Sequence, residues 1–326
     1  MSKSDENEIY LSSSPHFSDK SSTSGIMLGV IIALLPLCVY GVILFGYSAL
    51  VTLIVSTACC VVFEMLFQMA TKQKIAIKDC SAAVTGILLA LVLPPTTPVW
   101  MTILGSAFAI IVAKGFFGGL GANVFNPALA GRAFMFVSFP SALGATWLEP
   151  VNSGVDAISS ATILSTVKAG TFTANSDTYL QYFLGNRAGC IGETSIALIL
   201  LAFVYLLVTK IIDGKATISM IITVALATLL SGGDVTMALI SGGLLFGAVF
   251  MVTDYATTPV TSWGRIVFGI GCGLITFLIR KFGGYPLLAV GNAFFLCLFL
   301  YVVLFLRIVI TPIIVFLFCN FAVLKF

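Results

Sequence analysis

The sequence predicts an all-α polytopic membrane protein, with about ten transmembrane helices in two inverted five-helix repeats separated by a polar loop. Three observations predict it. Apolar residues make up 59% of the 326 residues and charged residues only 9%, well below the roughly 25% charged of a soluble domain. No charged residue occurs between Met27 and Phe63 or between Ser81 and Ala113, and runs of that length read as spans or hairpins of spans. Finally, "PPTTPVWMTILGSAFAIIVAKGFFGGLG" at 94–121 and "YATTPVTSWGRIVFGIGCGLITFLIRKFGG" at 255–284 share a Thr-Thr-Pro-Val, a following apolar run and a closing Phe-Gly-Gly.

Taken in order, residues 1–24 are polar and Ser-rich with no apolar core, so they read as a surface tail rather than a signal peptide. The first membrane unit, 25–141, carries spans near 26–46, 48–70, 81–94, 98–116 and 125–141. The third is short because Pro94-Pro95 removes a backbone donor and clashes with the preceding turn. Residues 142–192 form a polar loop, and the second unit, 193–326, carries spans near 193–209, 216–231, 235–252, 263–280 and 286–306. Five spans per unit is odd, so the second unit enters the membrane from the opposite face, and a site is expected between the units near the midplane.

Lysines set the orientation. Lys72, Lys74, Lys78, Lys114, Lys210 and Lys215 fall on one side of this arrangement, which the positive-inside rule makes cytoplasmic, while Arg280 and Lys281 dissent. The majority puts the 142–192 loop on the outer face of the cytoplasmic (inner) membrane. A net charge of +3 without basic runs excludes nucleic acid as a partner. The eight cysteines show no C-x-x-C spacing and His16 is the only histidine, so an iron–sulfur centre, a zinc site or a His-based triad is not expected within this chain.

Four polar features stand out of the apolar background. "GGLGANVFNPALAGRAF" at 118–134 places Asn126 before Pro127, which a helix cap explains, but Asn123 and the intramembrane charge of Arg132 need another reason and suggest a ligand site. Glu64 lies within the second span and reads either as part of an ion path or as an interfacial group. Asp254 ends the eighth span and reads as a cap or as a cation ligand between broken helices. The loop stretch "GVDAISSATIL" at 154–164 is rich in hydroxyls without a His or Lys to activate one, so it reads as an ordinary polar loop or as a point of attachment.

These stretches, with "LSSSPHFSDKSSTSGIMLGVIIALLP" near the start and "FMVTDYATTPVTSWG" in the eighth span, resemble the family of membrane proteins that includes the D subunit of the Rnf complex and the B subunit of the sodium-pumping NADH:quinone reductase. The resemblance runs along nearly the whole chain, and its spacers suit the shorter Rnf member. It implies FMN joined through its phosphate to a threonine hydroxyl in a motif that reads here Asp156-Ala157-Ile158-Ser159-Ser160-Ala161-Thr162, with Thr162 as the bearing residue and Ser160 where glycine often stands. It implies further a flavin transferase to attach it, a second, non-covalent flavin (riboflavin or FMN) for which Asn123, Asn126 and Arg132 are the candidates, and partners comprising a second FMN subunit, iron–sulfur subunits and other membrane subunits. The implied task is electron transfer between ferredoxin and NAD coupled to Na⁺ or H⁺ movement, with Glu64 and Asp254 as ion-path candidates and no catalysis by this chain alone. The competing expectation is a solute channel or transporter of inverted-repeat type without a redox role. The stretch after Pro286 departs from the family pattern, so no residue roles carry over beyond it.

Overall fold

The protein is described by a computed structural model covering residues 22–73, 77–144 and 176–282. These residues form helices, turns and irregular segments, with no strand among them. In chain order the helices are α1 (Thr23–Phe45), α2 (Tyr47–Ala70), α3 (Ser81–Leu91), α4 (Val99–Ala107), α5 (Pro127–Ser138), α6 (Pro140–Gly144), α7 (Ser176–Leu184), α8 (Ile196–Val208), α9 (Lys215–Leu230), α10 (Val235–Ile240), α11 (Leu244–Phe246) and α12 (Ser262–Phe282). α4 runs on as a π-helix over Phe108–Gly115, and α11 as one over Gly247–Met251. Among the described residues three helices, α1, α2 and α12, are long and apolar enough to cross a membrane.

α2 shows why these helices suit lipid. Its buried stripe is Thr52, Ser56, Cys60, Glu64 and Gln68, a ladder with a spacing of four, whereas Leu50, Ile54, Val62, Leu66 and Met69 are exposed. A soluble helix places its apolar stripe inward. Here the greasier face points outward and the polar one inward, as a hydrocarbon solvent requires. α1 likewise exposes Leu28, Ile32, Leu35, Val39 and Ile43 along one side.

Small residues and hydroxyls hold the helices together, the usual means where lipid competes equally for apolar side chains. Gly86 lets α3 lie against α2, because a Cβ there would sit 2.6 Å from the Thr57 Cα, and Ser56 donates to the Gly86 carbonyl at 2.8 Å. In the second half Thr217 of α9 donates to the Ala248 carbonyl at 2.8 Å, again joining a long helix to the backbone of a short one. α9 and α12 pack through Gly269 and Gly273, whose absent side chains make room for Ala216, Ser219 and Thr223.

Two expectations change. The span expected at 235–252 is broken into α10 and α11, because Ser241 is extended (ψ 143°) and Gly242 takes a left-handed φ of 68° that only glycine adopts freely. The 142–192 loop contains helix outside the apolar spans, in α6 and α7. The tail before Ser22, the loop motif and the expected span at 286–306 lie outside the described residues.

Candidate functional site

A cavity of about 360 Å³ opens where the two halves meet. Its walls are the first turns of α1 (Thr23, Ile26 and Met27), one face of α3 (Ser81, Val84, Thr85 and Leu88), Lys114, the loop from Leu120 to Pro127, and Asp254, Tyr255 and Ala256. Asn123, Asn126 and Asp254, picked out separately in the sequence and far apart in it, thus line one space. The volume falls in the lower part of the roughly 300–1,000 Å³ range of small-molecule pockets.

Each polar group there has an identifiable support. Asn126 caps α5, its Oδ1 accepting from the Ala128 and Leu129 amides at 3.0 and 3.3 Å, and Pro127 sits at the first helical position. The capping role is therefore real, and the residue faces the cavity as well. Asn123 is 7% exposed and its Nδ2 donates to the Phe125 carbonyl at 3.0 Å. Asp254 is half-buried, and its carboxylate accepts from the Thr257 hydroxyl at 3.2 Å.

Lys114, counted among the lysines that set orientation, is 3% exposed, and its Nζ donates to Glu64 Oε1 and Ser81 Oγ, both at 2.6 Å. It lies in the π-helical stretch of α4, a form that adds a residue to the turn and recurs at functional sites. Gln68 Nε2 approaches the same Glu64 oxygen at 3.4 Å, while Glu64 Oε2 is buried with no hydrogen-bond partner among the described residues. Glu64 is 6% exposed and paired with Lys114. The available sequence signal was a spacing, since Lys114 followed a 33-residue uncharged run (Ser81 to Ala113) and had no loop of its own.

Arg132 is not among the residues that line this cavity, where Asn123 and Asn126 are. Six residues along α5 from its cap, or roughly 9 Å, its guanidinium meets Cys190 Sγ at 3.7 Å and leaves Nε buried without a partner among the described residues. A second polar cluster gathers there. Glu193, 4% exposed, accepts the Cys190 amide at 2.9 Å, and Arg187 donates to the carbonyls of Glu193 and Ile240. Arg280 donates to the carbonyls of Ala238 and Ser241 at 2.6 and 3.0 Å. Burial pushes the Cys190 thiol up, so it is a small buried neighbour rather than a reactive group. The dissenting charge of Arg280 is thus explained, since it serves the break between α10 and α11 instead of an exposed loop. The amides of Ile191 and Gly192 donate to the carbonyls of Leu93 and Leu91 at 3.2 and 2.7 Å, so this cluster lies at the opposite end of α3 from Ser81.

The loop residues Asp156, Ser159, Ser160, Ala161 and Thr162 lie outside the described residues.

Comparison with known proteins agrees with the resemblance drawn from the motifs. The model of the NQR2, RnfD, RnfE family matches residues 10–317. The chain is 43% identical to the D subunit of the Na⁺-translocating ferredoxin:NAD⁺ oxidoreductase complex of Acetobacterium woodii over 283 residues, covering 86% of this chain and 88% of the relative. It is 42% identical to the D subunit of the proton-translocating ferredoxin:NAD⁺ oxidoreductase complex of Clostridium ljungdahlii, covering 86% and 89%. It is 35% identical to the D subunit of an ion-translocating oxidoreductase complex of Escherichia coli, covering 85% and 90%. This multi-pass membrane protein therefore belongs to the NQR2, RnfD, RnfE family.

Proposed function

We propose that the chain is the D-type membrane subunit of an ion-translocating ferredoxin:NAD oxidoreductase, working with the other subunits of that complex, the iron–sulfur and second FMN subunits included. The observation that carries the reading is the cavity that joins Asn123, Asn126 and Lys114 of the first half to Asp254 of the second. It suits a non-covalent flavin, riboflavin or FMN. The ring system of a flavin offers carbonyl and imide edges, and amide side chains both donate and accept. A flavin supplies electron transfer that no side chain in the cavity can perform, and the protein's part is to position it and set its electrostatics.

The chain's own residues supply the rest. Lys114 places a positive charge at the cavity wall, already balanced by Glu64. The unpartnered Glu64 Oε2 and the half-buried carboxyl of Asp254 are the oxygens suited to hold Na⁺ or H⁺. Thr162, on the outer-face loop, is the proposed bearer of FMN, attached by a flavin transferase. About ten spans in two inverted repeats remain the proposed architecture. Each half supports it with a helix bonded by a hydroxyl to the backbone of a shorter helical segment, followed by Thr-Thr-Pro and a further helix.

The test uses the chain expressed with a matching transferase. After denaturation in SDS the band is expected to keep flavin fluorescence, and Thr162→Ala to lose it. Asn123→Ala is expected to lower the extractable flavin while leaving the covalent flavin in place. A non-fluorescent wild-type band together with unchanged extractable flavin in Asn123→Ala would instead favour the solute-transporter alternative.

A further inference from the structure

The cavity at the meeting of the two halves has a mouth. Of the residues that line it, Thr23, Leu120, Gly121 and Tyr255 are exposed, Leu120 at 43% and Tyr255 at 54%. Phe116 and Phe117, on the loop that carries Leu120, are exposed as well. That loop is a run of turns in which Gly118, Gly119 and Gly121 take φ of 109°, 93° and 86°. Non-helical backbone facing lipid is not tolerated in the hydrocarbon, so the mouth opens toward water. Leu120 and Tyr255 therefore rim it with an apolar surface that faces water, and such a patch marks a place where something docks.

The chain itself brings a segment to this mouth. Thr23 is the first residue of α1, and Ser22 before it is extended (φ −90°, ψ 146°), its side chain accepting the Gly25 amide at 3.1 Å. That cap fixes where α1 begins, so the residues preceding Ser22 leave the helix at the edge of the cavity. Residues 10–21 read "YLSSSPHFSDKS", fall within the stretch that matches the family, and carry Tyr10, Leu11 and Phe17 among serines. Phe17 and Leu11 precede Ser22 by five and eleven residues, which at roughly 3.5 Å per extended residue gives reaches of up to about 18 and 38 Å. Either reach is longer than any dimension of a compact cavity of about 360 Å³. A segment tethered at the rim also meets it at a high effective concentration, which favours it over a partner that must arrive from solution.

We propose that residues 10–21 dock across this mouth and cover the cavity, Phe17 packing against Leu120 and Tyr255 while the serines stay in water. The cover does not depend on what fills the cavity, so an absence of extractable flavin would sink the function proposed above and leave the following measurements still able to read the cover. In the full chain in detergent, benzoylphenylalanine is placed at position 17 and its light-induced crosslink is mapped by peptide mass spectrometry. A second preparation carries Leu120→Cys, and the rate at which a maleimide modifies position 120 is compared with the rate in the same protein carrying also Leu11→Ser and Phe17→Ser. Both tail changes lie outside the helices and leave their packing alone. The expected results are a crosslink within one chain to the 116–126 loop or the turn at 254–257, and modification about tenfold faster once the two apolar side chains are gone, as loss of an apolar contact predicts. A crosslink to a second copy of the chain or to detergent alone, or a modification rate that the tail changes leave unaltered, overturns the proposal. A rate that falls only when other subunits are bound would give the mouth to a partner instead, and would overturn it too.

Discussion

The two buried charge clusters sit at opposite ends of α3 and are built on different terms. Near Ser81, Lys114 and Glu64 form a balanced pair at 2.6 Å, both nearly fully buried. Near Leu91, Arg132, Arg187 and Arg280 gather with Glu193, and among the described residues no ion pair within 4 Å joins them. Arg187 and Arg280 are held by backbone carbonyls at the ends of broken elements. The difference separates two uses of buried charge: a pair whose members need each other, and cations that serve chain ends and leave positive charge over. A pair responds sharply to losing one member. An unbalanced cluster tolerates losing a cation that holds nothing.

The largest expected effect breaks the balanced pair. Glu64→Gln or Lys114→Met alone leaves a buried charge without its partner and should cost about 3–5 kcal/mol of stability. The double variant should recover most of that loss. Thermal unfolding in detergent of the two single variants and the double one measures the coupling, and strict additivity would show that the two charges act independently.

A smaller effect is expected at the other end. Arg132 makes one long contact to Cys190 and keeps Nε unpartnered, so Arg132→Met should change stability by less than about 1 kcal/mol, since apolar replacement of a buried charge is often neutral or stabilising. A loss as large as that of Lys114→Met would erase the contrast between the clusters. The same variant should retain its extractable flavin, because Arg132 does not line the cavity of Asn123.

The smallest effect calibrates both. Asp213 accepts from Arg265 at 2.6 Å and lies 3.5 Å from Lys215, on a partly exposed surface. Partial burial works against its charge, yet Arg265 and Lys215 hold its carboxyl below the usual carboxylate range. The stability it contributes is present above the ordinary carboxylate pKa and is lost as pH falls through its lowered folded value. Asp213→Asn should cost about 0.5 kcal/mol near neutral pH, and the difference from wild type should vanish in acid. A difference that grows toward low pH would reverse the assigned sign.

Much of this was legible in the sequence, because uncharged runs and prolines mark spans whatever their partners. The ends of α1, α2, α9 and α12 fall within a few residues of the expected spans for that reason. Asn123, Asn126 and Asp254 could be chosen singly, since a polar group in an apolar run is conspicuous. Their meeting at one cavity could not be read, because it depends on how the halves dock. The burial of Lys114 and the bonds of Arg280 could not be read for the same reason: a charge at the edge of an apolar run looks alike whether it faces water or a buried carboxylate or carbonyl. The break at Gly242 had its signal in Ser241-Gly242-Gly243, which the apolar residues on either side concealed.

α3 also constrains how the protein is made. Its 11 residues extend roughly 16 Å, about half the hydrocarbon thickness, and the carbonyls of Leu91 and Leu93 beyond its middle are met by the amides of Gly192 and Ile191. Those amides leave the ribosome about a hundred residues later than the carbonyls they satisfy. During synthesis the nascent first half must therefore wait, in water or under the care of the insertion machinery, because bare carbonyls are not tolerated in lipid. The order of synthesis thus makes the first half and the end of the 142–192 loop one biogenesis unit, and a chain released before residue 191 would be left as substrate for the membrane's quality-control proteases.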